Sequence, residues 1–74
     1  MIKAYDIVVA ERNLSEKVPR GTAGTVVMVY LPGSDYEVEF TDNRGETLDF
    51  LTVKVPDISL MPDNEVAEYY GTRS

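Results

Sequence analysis

The block Arg20-Gly21-Thr22-Ala23-Gly24-Thr25-Val26-Val27 sets two glycines three residues apart, directly ahead of a β-branched apolar run. Glycine accepts backbone conformations closed to other residues, so the pair predicts a tight bend and the Thr/Val run predicts a strand. A second strand follows after a short break. Tyr36-Glu37-Val38-Glu39-Phe40 alternates, with Tyr36, Val38 and Phe40 on a core face and Glu37 and Glu39 on a solvent face. A bend that feeds one strand apolar on both faces, then one that alternates, constrains the chain to a small β-barrel.

The remaining segments fit that plan. Tyr5 to Ala10 is short and β-branched and reads as strand one. Glu11 to Arg20 is polar and aperiodic, a loop with Leu14 and Val18 as its anchors. Strand two runs from about Gly24 to Leu31; being apolar on both faces, it is expected to be central and strongly bent. Pro32 to Asp35 is a turn by composition, and Thr41 to Glu46 a hairpin tip with Gly45 in the left-handed position. In strand four, Glu46 to Val53, Leu48 and Phe50 share one face and Leu51 and Val53 the other, which predicts a bulge near Phe50 and Leu51. Val55-Pro56-Asp57 breaks the strand, and Ile58 to Met61 is a fifth, ended by Pro62. The predicted core is Ile7, Val9, Val26, Val29, Val38, Phe40, Leu48, Phe50, Val53, Ile58 and Leu60. The chain divides into a barrel, 1–62, and a C-terminal tail, 63–74, that is a short helix or disordered.

In the tail, Asp63 can cap a helix and Glu65 complements its positive end. Val66, Tyr69 and Tyr70 then fall at i, i+3 and i+4 on one face, and Gly71 is a natural stop. So short a helix needs a surface to dock on. Three readings stay open: it docks on a partner through Val66, Tyr69 and Tyr70, it packs on its own barrel, or it frays.

Composition narrows the chemistry. Seventy-four residues make one domain with a thin core and no room for a large enclosed pocket. Cys and His are both absent, which removes disulfides, the ligands zinc prefers, and the usual nucleophile and general base near neutral pH. Net charge is −6, and Lys3, Arg12, Lys17, Arg20, Arg44, Lys54 and Arg73 are scattered. A nucleic-acid module wants a basic patch, so the charge argues for a protein partner and against nucleic acid. The N-terminal residues do not read as a signal peptide, and no stretch approaches the ~20 apolar residues of a membrane span. These readings predict a cytoplasmic, non-catalytic module without a cofactor or a metal, a monomer or a weak homo-oligomer through an exposed strand edge.

The clustered carboxylates Glu37, Glu39, Asp42, Glu46 and Asp49 admit a divalent cation as one reading. The plainer one is a solvated face, because Asp42 to Glu46 lacks the spaced ligands of a calcium loop. The serines have no His and no nucleophile elbow, and no Lys-Ser/Thr follows the glycines as a phosphate loop requires. Tyr5, Tyr30 and Tyr36 are expected to be core or half-buried. Glu37 and Glu39, on the acidic strand, join Val66, Tyr69 and Tyr70 as candidate partner contacts, and the loop 11–20 is a third candidate surface.

One resemblance adds to this reading. Tyr5-Asp6-Ile7-Val8-Val9, the Arg20–Val27 block, Tyr36-Glu37-Val38-Glu39-Phe40, Gly45-Glu46-Thr47 and Val53 together resemble a family of small bacterial proteins, frequent in cyanobacteria, that has no assigned function. The resemblance spans about residues 3–62. It implies a five-stranded, partly open barrel of the Src-homology-3 type and brings no catalytic residues to carry over. Some members sit beside small proteins that look like toxins, which implies an antitoxin role as an alternative to a general protein-binding module. Gly21 to Gly24 also resembles the turn of KOW-type nucleic-acid modules, which are basic there; this chain offers only Arg20.

Overall fold

The computed structural model describes residues 1–73, and side chains through residue 69. Five strands form: β1 (Ile7–Ala10), β2 (Ala23–Leu31), β3 (Asp35–Thr41), β4 (Thr47–Lys54) and β5 (Ile58–Leu60), followed by α1 (Asp63–Arg73). They make one antiparallel sheet in the order β4-β3-β2-β1-β5. β4 and β5 are its free edges, so the sheet curls into an all-β, partly open barrel without closing. β2 is central, paired to β1 and β3, and carries two register shifts against β3, at Val27 and at Tyr30. Those irregularities are how a long strand bends around a small core.

The core face follows the register. Gly24 opposes Phe40, Val26 opposes Val38, Val38 opposes Leu51, and Tyr36 opposes Val53. Val8, Val18, Val26, Tyr36, Val38 and Phe40 are the largest fully buried side chains, joined by Ile2, Ala10, Val53 and Ile58. The loop of residues 11–20 is anchored as expected: Val18 is buried and Leu14 packs on the core. Its turn is held by a Ser15–Val18 bridge and by the Asn13 Oδ1, which accepts from Arg20 N at 2.8 Å. At the hairpin tip Gly45 is left-handed (φ 82°), and Asp42 Oδ1 accepts from the backbone N–H groups of Arg44 and Glu46.

Several expectations shift by one residue, and in a strand one residue changes the face. The sequence puts Ile7 and Val9 inside. The register instead turns Val8 and Ala10 inward, while Ile7 is buried on the opposite face, level with Thr25 and Glu39. In β4 the irregularity lies at Leu48, not at Phe50–Leu51: Phe40 pairs with Asp49 and Thr41 with Thr47, skipping Leu48. This leaves Leu51 and Val53 facing inward and Phe50 outward, level with Glu39, and 54% exposed. Leu60, Tyr5 and Tyr30 are exposed too, and Val9, Val29 and Leu48 are half-buried. Of the two opening glycines, Gly21 alone makes the turn, at φ 92°; Gly24 sits inside β2.

One ion pair ties the loop to the connection between β4 and β5. Arg12 Nε donates to Asp57 Oδ1 at 2.8 Å. This hydrogen bond, with the attraction of the guanidinium, holds the Asp57 carboxyl below its usual value of 3.8. A lowered folded value means the bond stabilises the fold above the ordinary carboxylate range and is lost as acid titrates Asp57 through its folded value. Thermal melts from pH 6 down to pH 2 are therefore expected to show an acid-side fall in Tm that is shallower in Arg12→Ala than in the parent chain.

Candidate functional site

The sheet has one face turned to the core and one turned outward. On the outer face, α1 occupies one end. The Pro62 carbonyl accepts from the N–H groups of Glu65 and Val66, so Pro62 rather than Asp63 is the cap and Asp63 lies in the first turn. Val66 is half-buried and shares a crevice with Ile7, Leu60 and Met61. Tyr69 Oη lies 2.6 Å from Thr41 Oγ1 and makes a hydrogen bond with it over the end of β3, where Thr41 is buried. Between α1 and the 17–23 turn runs an open groove lined by Lys17, Arg20, Ala23, Leu48, Glu65 and Tyr69. Gly71, the expected stop, lies within the helix, which continues to Arg73. The side chain of Tyr70 lies outside the described residues. Of the tail residues singled out from sequence, Val66 and Tyr69 thus face this chain's own barrel.

Beyond α1 the outer face of β2, β3 and β4 is open. Its middle strand presents Glu39 between Thr25 and Phe50, and Glu37 between Met28 and Thr52. Residues directly opposite across an antiparallel pair have Cβ atoms about 5 Å apart, and i, i+2 neighbours on a strand about 7 Å. These two rows therefore form one continuous patch. Met28 is 52% exposed and Tyr30 54%, matching Phe50. Single exposed apolar residues are ordinary on a protein surface; a large residue from each of two strands around the same two carboxylates is a patch that a partner can cover.

Glu37 and Glu39 are half-buried and held by neutral donors. Thr52 Oγ1 donates to Glu37 Oε1 at 2.7 Å, with Tyr30 Oη at 3.4 Å from the same oxygen, and Thr47 Oγ1 donates to Glu39 Oε2 at 2.5 Å. Hydroxyls orient a carboxylate without cancelling its charge. The nearby cation, Lys54, is engaged by Asp35, with Nζ 3.3 Å from Oδ2. Asp35 is itself held below the usual carboxylate value, chiefly by the Ser34 hydroxyl and then by Lys54. The patch therefore combines rigid β backbone, aromatic and thioether surface, and two fixed negative charges.

Sequence alone set Glu37 and Glu39 on the outer face of β3, where they are. It missed Phe50, Met28 and Tyr30. The signal for Phe50 was its phase against Leu51 and Val53, read with the bulge placed two residues too late. Among the described residues, no three His, Cys, Asp or Glu side chains are grouped so as to hold a metal ion. No described helix is long and apolar enough to cross a membrane.

Comparison with known proteins gives a family match. A family model described as "Domain of unknown function (DUF4926)" matches residues 4–60, which include all five strands and stop short of α1. No curated protein matches the chain, and no solved structure does.

Proposed function

This chain belongs to the DUF4926 family, which has no assigned function, and from that premise we propose that it is a non-catalytic protein-binding module. The observation that carries the reading is the exposure of Met28, Tyr30 and Phe50 together on the outer face of β2–β4. Aromatic residues and Met are enriched at protein interfaces because they offer large contact area, and Tyr adds a hydrogen bond. Strands position them rigidly, so little ordering cost is incurred on binding. The strand order and long first loop also support kinship with Src-homology-3-type barrels.

The experiment is affinity capture from the native cell with the parent chain and with Phe50→Ser. Phe50 makes no part of the buried core, so the substitution is expected to cost about 1 kcal/mol in strand propensity and partial burial, well short of a core truncation. Loss of a central aromatic contact weakens an interface by about tenfold or more. A partner retained by the parent chain and lost by Phe50→Ser, while the variant still melts cooperatively above the capture temperature, is the expected result. Partners that bind both chains equally would reject this face as the binding surface.

The antitoxin role is a narrower form of the same reading, favoured by the net charge of −6, which complements a basic nucleic-acid-cleaving toxin. It requires that the captured partner poison cells when expressed alone. Nucleic acid is disfavoured by the same charge, and binding that falls steeply with salt on a nucleic-acid probe would revive it.

A further inference from the structure

We propose that the occupant of the β2–β4 outer face is a Lys- or Arg-bearing segment of another protein, seated with its aliphatic stem on Met28 and Phe50 and its cationic head at Glu37 and Glu39. This rests on the protein-binding reading and names the chemistry of the partner.

Charge complementarity selects the occupant. Glu37 and Glu39 project from the same face of the middle strand, about 7 Å apart by strand geometry. Each has one oxygen tied by a threonine hydroxyl, which leaves Glu37 Oε2 and Glu39 Oε1 free to accept. Lys54 is spent on Asp35. Two oriented carboxylates with no cation paired to them among the described residues repel one another, and an arriving ammonium or guanidinium relieves that repulsion while making charge-assisted hydrogen bonds. The apolar residues beside them suit the rest of the same side chain. Lys and Arg carry long methylene stems that cover apolar surface while the head stays polar, and the rings of Tyr30 and Phe50 attract a cation over their faces. A second copy of this chain is a poor occupant, because it would bring the same two glutamates and a charge of −6. An acidic or purely apolar segment would leave both carboxylates desolvated and unpaired.

A random twelve-residue peptide library selected on the full chain, and counter-screened on Phe50→Ser and on the double variant Glu37→Gln/Glu39→Gln, separates the outcomes. Threonine hydroxyls can still donate to the Gln carbonyls, so the double variant keeps the local hydrogen bonds. The expected result is enrichment of Lys and Arg in peptides that need Phe50. Their affinity should fall about tenfold in the double variant and decline with salt. Phe50-dependent peptides with no basic enrichment, and with equal affinity for the double variant, would overturn this inference and leave the binding face standing. A selection that yields no Phe50-dependent peptide would overturn both.

Discussion

Phe40→Ala is expected to remove most of the chain's stability. Phe40 is fully buried and packs in the cluster that includes Val8, Val26 and Val38. Truncating such a side chain costs about 3–5 kcal/mol, the transfer of the ring plus the cavity it leaves. A domain this small sits toward the low end of the usual range of about 5–15 kcal/mol, so little stability would remain. Urea melts followed by circular dichroism measure it directly. Phe50→Ala is the matching control. It removes the same ring from a neighbouring strand of the same sheet, and because that ring is half in water it should move the urea midpoint far less than Phe40→Ala does. Equal losses from both substitutions would contradict the inward–outward assignment of β3 and β4.

The second large effect is expected at Gly24, where the penalty is steric and not conformational. A Cβ there would lie 2.6 Å from Val38 Cγ1, 2.8 Å from Phe40 Cδ1 and 2.9 Å from the Glu39 carbonyl oxygen. Side chains can yield a little, but the carbonyl belongs to the ladder that pairs β2 with β3, so the strands must part. Overpacking of this kind costs about 1–3 kcal/mol. In a domain of about 60–100 residues each kcal/mol lowers Tm by about 4–8 °C, so Gly24→Ala should show clearly in calorimetry. Adding Val38→Ala opens part of the space, and the double variant should be less destabilised than the sum of the two singles. Gly21 differs: its surroundings are open, and its need for glycine comes from φ 92° alone.

These two substitutions mark where the sequence could be read and where it could not. Alternation from Tyr36 to Phe40 assigned the inner and outer faces of β3 correctly, because that strand has no irregularity within the alternating run. The same logic failed for β1 and β4. The four residues of β1 are all apolar, so period alone gave no phase, and only pairing with β2 turned Val8 and Ala10 inward. In β4 the irregularity at Leu48 reversed the phase of the residues after it, placing Phe50 beside Glu39 in water. The glutamates of the candidate face were legible as the polar half of an alternating strand. Their apolar neighbours were not, since Met28 and Phe50 come from strands whose irregularities are tertiary features.

The tail shows the same division. The sequence allows the tail to be a short helix, with Val66, Tyr69 and Tyr70 on one face, or disordered, and a helix forms. Its choice of surface depended on a hydroxyl at the end of β3, 28 residues away, which Tyr69 meets at Thr41. Local periodicity contains no information about such a partner.

By itself, then, the sequence determined the class of fold, the five strands in order, the left-handed turn at Gly45 and the net acidity, all of which are set by neighbours a few residues apart or by composition. The tertiary structure decided which glycine was a turn and which a close contact, which phenylalanine was core and which surface, and that acidic and apolar residues from three strands share one open face. Those are matters of register across strands, and a shift of a single residue there moves a side chain from the interior to water.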